Sequence, residues 1–372
     1  MEFLYRYFYN SLEIPAVETD AYLHLLNPAE RKAVHRLEWM AWVTSGLIGT
    51  LAVLLLYLPQ YFMPQLFPNW NVDLPYVGMT TIPLVATIYG VVLVFFEIWA
   101  LTILHVYCIQ RMAVSMGYIT SDMAVLKEKQ DKILAVSTEE KDKTLKSFGI
   151  DPYQGMKISQ VWMINLFIAL KATLSNMVVK ILVRRVLGRY AVREVLDLLG
   201  IPIFAFWNIM ATRNILREAR VMIMGQNLID FIVPTFEKIA SEIKDVPETK
   251  SLIYDTLQFI AVSKRDYHAN HAYLTAKILA VFDIPIEQKH HIPNDYAQRL
   301  ATANSVLKRF CQLLIIIGLL LDGQISWRER QRIQEFHQKN IIDLSVAELI
   351  SLKNDFLEGR GITQWIELFI NG

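Results

Sequence analysis

The sequence predicts an all-α integral membrane protein, a two-span transmembrane hairpin carrying a large cytoplasmic helical domain. Three observations carry that expectation. With 53% hydrophobic and only 20% charged residues over 372 positions, the chain is too apolar for an ordinary soluble protein of its length. Two apolar runs, about 39–60 and 82–109, each reach the roughly 20 residues needed to cross about 30 Å of hydrocarbon. Finally, no Lys or Arg lies between Arg36 and Arg111, while 33 of the 37 basic residues lie from Arg111 onward. That asymmetry places both termini in the cytoplasm and the intervening loop outside, and it speaks for topology rather than nucleic-acid binding.

Residues 1–38 form an N-terminal cytoplasmic helical segment. No basic n-region or small-residue cleavage site is evident at its start, so no signal peptide is expected. It closes on "NPAERKAVHRLEW", where Asn27 serves as N-cap, Pro28 as N1 and Glu30 as N3. The helix then continues into "MAWVTSGLIGTLAVLLLYL", the first half of the 39–110 hairpin. Residues 61–81 hold prolines and aromatics without a basic residue, and read as a non-cytoplasmic loop.

Within the first span, Ser45 and Gly49, and likewise Gly46 and Thr50, are four apart, a spacing that lets helices approach closely. The second span carries Glu97 near its middle, with Gly90 seven residues before it and His105 on the same side. A carboxylate at that depth costs on the order of 3 kcal/mol on insertion scales, so Glu97 is expected to face protein or water. Thr44 or Ser45, or a second copy of Glu97 in a homo-oligomer, are the expected partners.

Residues 111–158 read as a cytoplasmic helical connector with dense mixed charge and capping signals at Ser121 and Ser137. In 159–245, "VWMINLFIALKATLSNMVVKILVRR" gathers Asn165, Thr173, Asn176, Lys180 and Arg184 on one side and reads as an amphipathic surface helix. Gly200 and Pro202 then predict a break, with a new helix from Pro202. Arg213, Arg217 and Arg220 recur on one helical face, suited either to anionic lipid headgroups or to pairing with acids such as Glu218.

From residue 246 to 372 a helical domain of ordinary polarity follows. "LQFIAVSKRDYHANHAYLTAKI" and "LLIIIGLLLDGQISWRERQRI" suggest two copies of a helical hairpin, with Asp266 against Asp322 and Asn270 against Ser326. The run Cys311–Leu321 is too short to span a membrane and predicts a buried core helix. "DGQISWRE" combines a turn glycine, Gly323, with a capping box from Ser326 to Glu329.

Two resemblances follow from these stretches. The "DGQISWRE" turn resembles that of TerB-like, tellurite-resistance-type helical domains, which implies an acidic turn at Asp322 and Glu329 as a candidate divalent-metal site. "LLGIPIFAFWNIMATRNILREARVMIMG" resembles the EcsC-type membrane-associated family, through its Ile-Pro helix, Asn208 and the later "REAR".

His268, His271, His290 and His291 lack the cysteine or acidic companions of a familiar metal site. Cys108 and Cys311 sit in separate apolar runs and predict reduced thiols. No phosphate loop, dinucleotide fingerprint, nucleophile elbow or zinc-protease helix is present. The expectation is a non-enzymatic scaffold or sensor of the bacterial inner membrane, without a cofactor. It would work on the bilayer, with itself as an oligomer and with a protein partner, in envelope or chemical stress. The alternative is an oligomeric channel or transporter with Glu97 lining the pathway.

Overall fold

The computed structural model describes residues 25–74, 78–118, 148–150, 193–264, 268–286, 290–339, 341–362, 365–367 and 369. The connector caps at Ser121 and Ser137, the amphipathic segment 159–183 and Asp266 lie outside these residues.

The first helix, α1 (Pro28–Phe62), starts where the sequence places it. Asn27 Oδ1 accepts from the amides of Ala29 and Glu30, both at 2.9 Å, and Glu30 returns a carboxylate oxygen to the Asn27 amide at 2.8 Å. Near its other end Pro59 lacks the N–H that would bond the Leu55 carbonyl. The Tyr89 hydroxyl supplies the missing donor, at 2.7 Å.

The 61–81 segment is more ordered than a loop. After a short 3-10 turn, Pro64–Leu66, strands β1 (Trp70–Leu74) and β2 (Gly78–Ile82) pair antiparallel, with Trp70 opposite Ile82 and Leu74 opposite Gly78. The β-branched Val72, Thr80, Thr81 and Ile82 favour this geometry. The chain then returns along α1 as α2 (Leu84–Ser115).

Helix α3 (Arg193–Ile243) runs 51 residues without interruption, through both Pro202 and Pro234. The break expected at Gly200 and Pro202 does not occur. An interior proline costs one backbone hydrogen bond and about 3 kcal/mol, which packing along the rest of so long a helix outweighs. Antiparallel to α1, it meets Glu38 at Arg220, Trp42 at Arg213, Gly46 at Ile209 and Gly49 at Asn208. Parallel to α2, it meets Glu97 at Asn208 and Tyr118 at Gln226.

Below the three long helices lies a compact helical domain. It comprises α4 (Thr249–Lys264), α5 (Ala269–Val281), α6 (Tyr296–Thr302), α7 (Ser305–Leu320), α8 (Trp327–Gln338) and α9 (Val346–Glu358). Its centre is α7, buried from Phe310 to Leu321, as the apolar run predicts. Gly318 of α7 lets Ile260 of α4 approach so closely that an added Cβ would meet it at 2.8 Å. The lower half of α3, from Ile215 to Ile243, belongs to the same continuous core, which also takes in Val34, Met112 and Tyr118. The long helices and the domain therefore share one packed interior.

Candidate functional site

Two polar pairs form a seam between α2 and α3. Asn208 Nδ2 donates to Glu97 Oε1 at 2.7 Å, and His105 Nε2 lies 2.9 Å from Thr212 Oγ1. All four side chains are buried. Of the two surroundings expected for Glu97, protein or water, it has protein, and the partner comes from α3. Ser45 is buried and turns its hydroxyl onto the Trp42 carbonyl of its own helix, at 2.9 Å, while Thr44 and Thr50 are half-buried.

The small residues of α1 serve the same seam. A Cβ on Gly49 would stand 2.7 Å from Asn208 Nδ2 and 3.0 Å from the Phe204 carbonyl oxygen, and one on Gly46 would stand 3.0 Å from Ile209. The small-residue spacing read as a site of close approach thus admits α3. Gly90 is buried on α2.

Down α3, the basic face divides. Arg220 turns inward to Glu38 at 3.3 Å, where His35 also reaches the carboxylate at 3.3 Å. Arg213 lies 5.8 Å from the Trp42 ring, and Arg217 donates to the Gly323 carbonyl at 3.3 Å. Arg213 and Arg217 remain exposed.

Gly323 belongs to the acidic turn, which encloses an ammonium group. Lys264 Nζ, at the end of α4, lies 2.7 Å from Asp322 Oδ1, 2.6 Å from Glu329 Oε1 and 2.7 Å from the Gln324 carbonyl. The ammonium donates to Asp322 and to the Gln324 carbonyl, and pairs with Glu329 by charge. The Lys264 and Glu329 side chains are only 1% and 3% exposed, so the charges are held away from solvent. A lysine side chain stands between the two carboxylates considered for a metal. Among the described residues no three His, Cys, Asp or Glu side chains converge on a possible metal position. The predicted capping box is present, with Ser326 N donating to Glu329 Oε2 at 2.5 Å and Glu329 N to Ser326 Oγ at 3.4 Å. Gly323 takes φ +63° to make the turn.

The related turn before α5 uses histidines for the same job. His268 is the N-cap of α5 and His271 its N3 residue, so His268, rather than Asn270, corresponds to Ser326. The alignment slips because four residues separate α4 from α5 and six separate α7 from α8. His271 Nδ1 accepts from the His268 amide at 3.3 Å, which leaves Nε2 to donate to the Gly318 carbonyl at 2.8 Å. Burial, and then the positive charge of Lys264, pull the His271 pKa down to about 3. Asn270 instead ties three elements together, donating to the carbonyls of Val221 at 2.9 Å and Leu321 at 2.8 Å. Gly225 makes room for it, since a Cβ there would overlap Asn270 Nδ2.

Sequence reasoning also missed the buried Asp255. It receives Arg299 at 2.5 Å and His290 at 2.8 Å. His290 stacks on Tyr254, 4.1 Å between centroids, and its amide bonds the Gly149 carbonyl at 2.8 Å. Residues 148–150 are thereby fastened to the domain. Cys108 and Cys311 are buried free thiols, as predicted, and burial pushes Cys311 up to about 12. Asn208 stands out in the sequence as a polar residue in an apolar stretch, whereas Lys264 is one of several polar residues in its run, and no local pattern names the partner of either. Searches of family models, curated proteins and solved structures return no match to this chain.

Proposed function

We propose that this chain is an integral protein of the bacterial inner membrane. It acts as a non-enzymatic scaffold that relays the state of a membrane-embedded helix bundle to a cytoplasmic helical domain. Helices α1 and α2 are long and apolar enough to cross a bilayer. A third or less of their most apolar windows is covered by protein, unlike a soluble core helix, and large apolar side chains such as Leu47, Leu51, Phe95 and Phe96 point outward. Trp39 and Tyr61, both exposed, stand about 33 Å apart along α1, the spacing of two interfacial aromatic belts.

The observation that carries the relay is the continuity of α3. One rod contacts Glu97 through Asn208 and the turns of the lower domain through Val221 and Arg217. From Asn208, level with the middle of α1 and α2, the first 15 residues of α3 rise about 22 Å, more than half the hydrocarbon thickness. On this reading the upper part of α3 lies in the hydrocarbon beside α1 and α2, and Arg193 emerges on the side of the β-hairpin. The acidic turn and paired hairpins stay compatible with the TerB-like resemblance, and the α3 region with the EcsC-like one.

Amide hydrogen exchange of the whole protein in lipid nanodiscs tests the relay. Glu97→Leu should loosen protection around Asn270 and Gly323, while Glu97→Gln should not. Unchanged exchange in both variants would reduce α3 to a tether. Ion or proton flux in liposomes, present in wild type and lost in Glu97→Gln, would favour the channel instead.

A further inference from the structure

Both turns of the paired hairpins lie at the end of the lower domain that faces the long helices. Asn270 and Gly323 each meet Val221 of α3, and Arg332 and Phe336 of α8 pack beside Ser263 and Phe259 of α4. Helix α8 therefore begins at this end and runs away from it. Along α3, Val221 stands about 20 Å below Asn208. Half the hydrocarbon core is about 15 Å, and the headgroup layer extends to about 20–22 Å. The start of α8 thus falls at headgroup depth.

What the domain presents there is specific. Trp327, the first residue of α8, is 70% exposed, and Arg328 and Arg330 beside it are exposed. The acid of the same turn, Glu329, is turned inward to Lys264, so the outer surface is basic. Arg217, one turn above Val221 on α3, adds a further exposed basic side chain beside this turn. Tryptophan favours the bilayer interface because its ring is apolar and its N–H is polar, and arginine pairs bidentately with phosphate. Resting on the membrane reading above, we propose that Trp327, Arg328 and Arg330 dock the lower domain onto anionic phospholipid headgroups of the bilayer that its own helices cross.

The test uses the full chain in nanodiscs of phosphatidylcholine, with or without phosphatidylglycerol. A fluorophore is placed on Gln324→Cys and read against lipids carrying a spin-label quencher at the headgroup. A second fluorophore, on Gln338→Cys at the far end of α8, gives the background, and one on Leu51→Cys reports contact with an acyl-chain quencher. Docking requires Gln324 to be quenched well above Gln338, more strongly with phosphatidylglycerol. Combined Trp327→Ala, Arg328→Ala and Arg330→Ala changes should return it to background with the melting temperature unchanged. If Leu51 is quenched but Gln324 is not, or if the triple variant stays quenched, docking is wrong and the membrane reading stands. If Leu51 is not quenched, both fall.

Discussion

Asn208 donates its side-chain amide to the Glu97 carboxyl across 111 positions of sequence, at 2.7 Å and away from solvent. Truncating one partner of such a buried pair costs more than replacing both, because the survivor is left desolvated. Asn208→Ala should therefore lower the unfolding free energy in mild detergent by about 1–3 kcal/mol, while Glu97→Gln should stay near wild type. Equal stability of all three proteins would remove the pair from the account.

Gly49 is where α1 yields to α3. An added methyl would press on Asn208 and on the Phe204 backbone, and backbone cannot swing aside as a side chain can. Gly49→Ala should cost about 1–3 kcal/mol, whereas Thr50→Ala, at a half-buried neighbour, should be nearly silent. Thermal unfolding of the two variants side by side decides it.

Lys264 neutralises two carboxylates that would otherwise share a dry turn. Lys264→Met alone should destabilise by about 3–5 kcal/mol, and adding Asp322→Asn with Glu329→Gln should restore much of the loss. Chelator should leave the wild-type melting temperature unchanged. A melting temperature that falls on chelation and recovers with divalent ion would instead reopen the metal site.

His271 makes stability depend on pH. Its folded pKa, held down to about 3 by burial, lies below the unfolded value of about 6.5, so the unfolded chain binds the extra proton between them. The contribution is fully present above pH 6.5 and is lost as pH falls toward 3, at about 1.4 kcal/mol per unit. A His271→Gln variant, starting less stable, should show a shallower acid limb in denaturant titrations. Identical limbs would contradict the buried neutral imidazole.

Topology can be read with a membrane-impermeant maleimide on intact spheroplasts, since Cys108 and Cys311 are both buried and should not react. Asn71→Cys and Arg193→Cys should label from outside, and Lys143→Cys should not. An unlabelled Arg193→Cys would confine α3 to the inner half.

Local features of the sequence determined a good part of this protein. The Asn27 and Ser326 capping boxes, the apolar lengths of α1 and α2 and the buried α7 depend on neighbours within a turn or on one helix's own periodicity, so they read directly from the chain. The expectation that Glu97 turns to protein or water also followed locally, from the cost of a carboxylate in an apolar surrounding. Tertiary structure alone decided who answers it. Pairing Asn208 with Glu97, opening Gly49 to α3 and closing Asp322 and Glu329 on Lys264 all require knowing that α3 lies antiparallel to α1 and that the two helical hairpins interlock. The continuity of α3 through Pro202 was decided the same way: a proline's local penalty is a few kcal/mol, and only the packing of the whole helix shows what outweighs it.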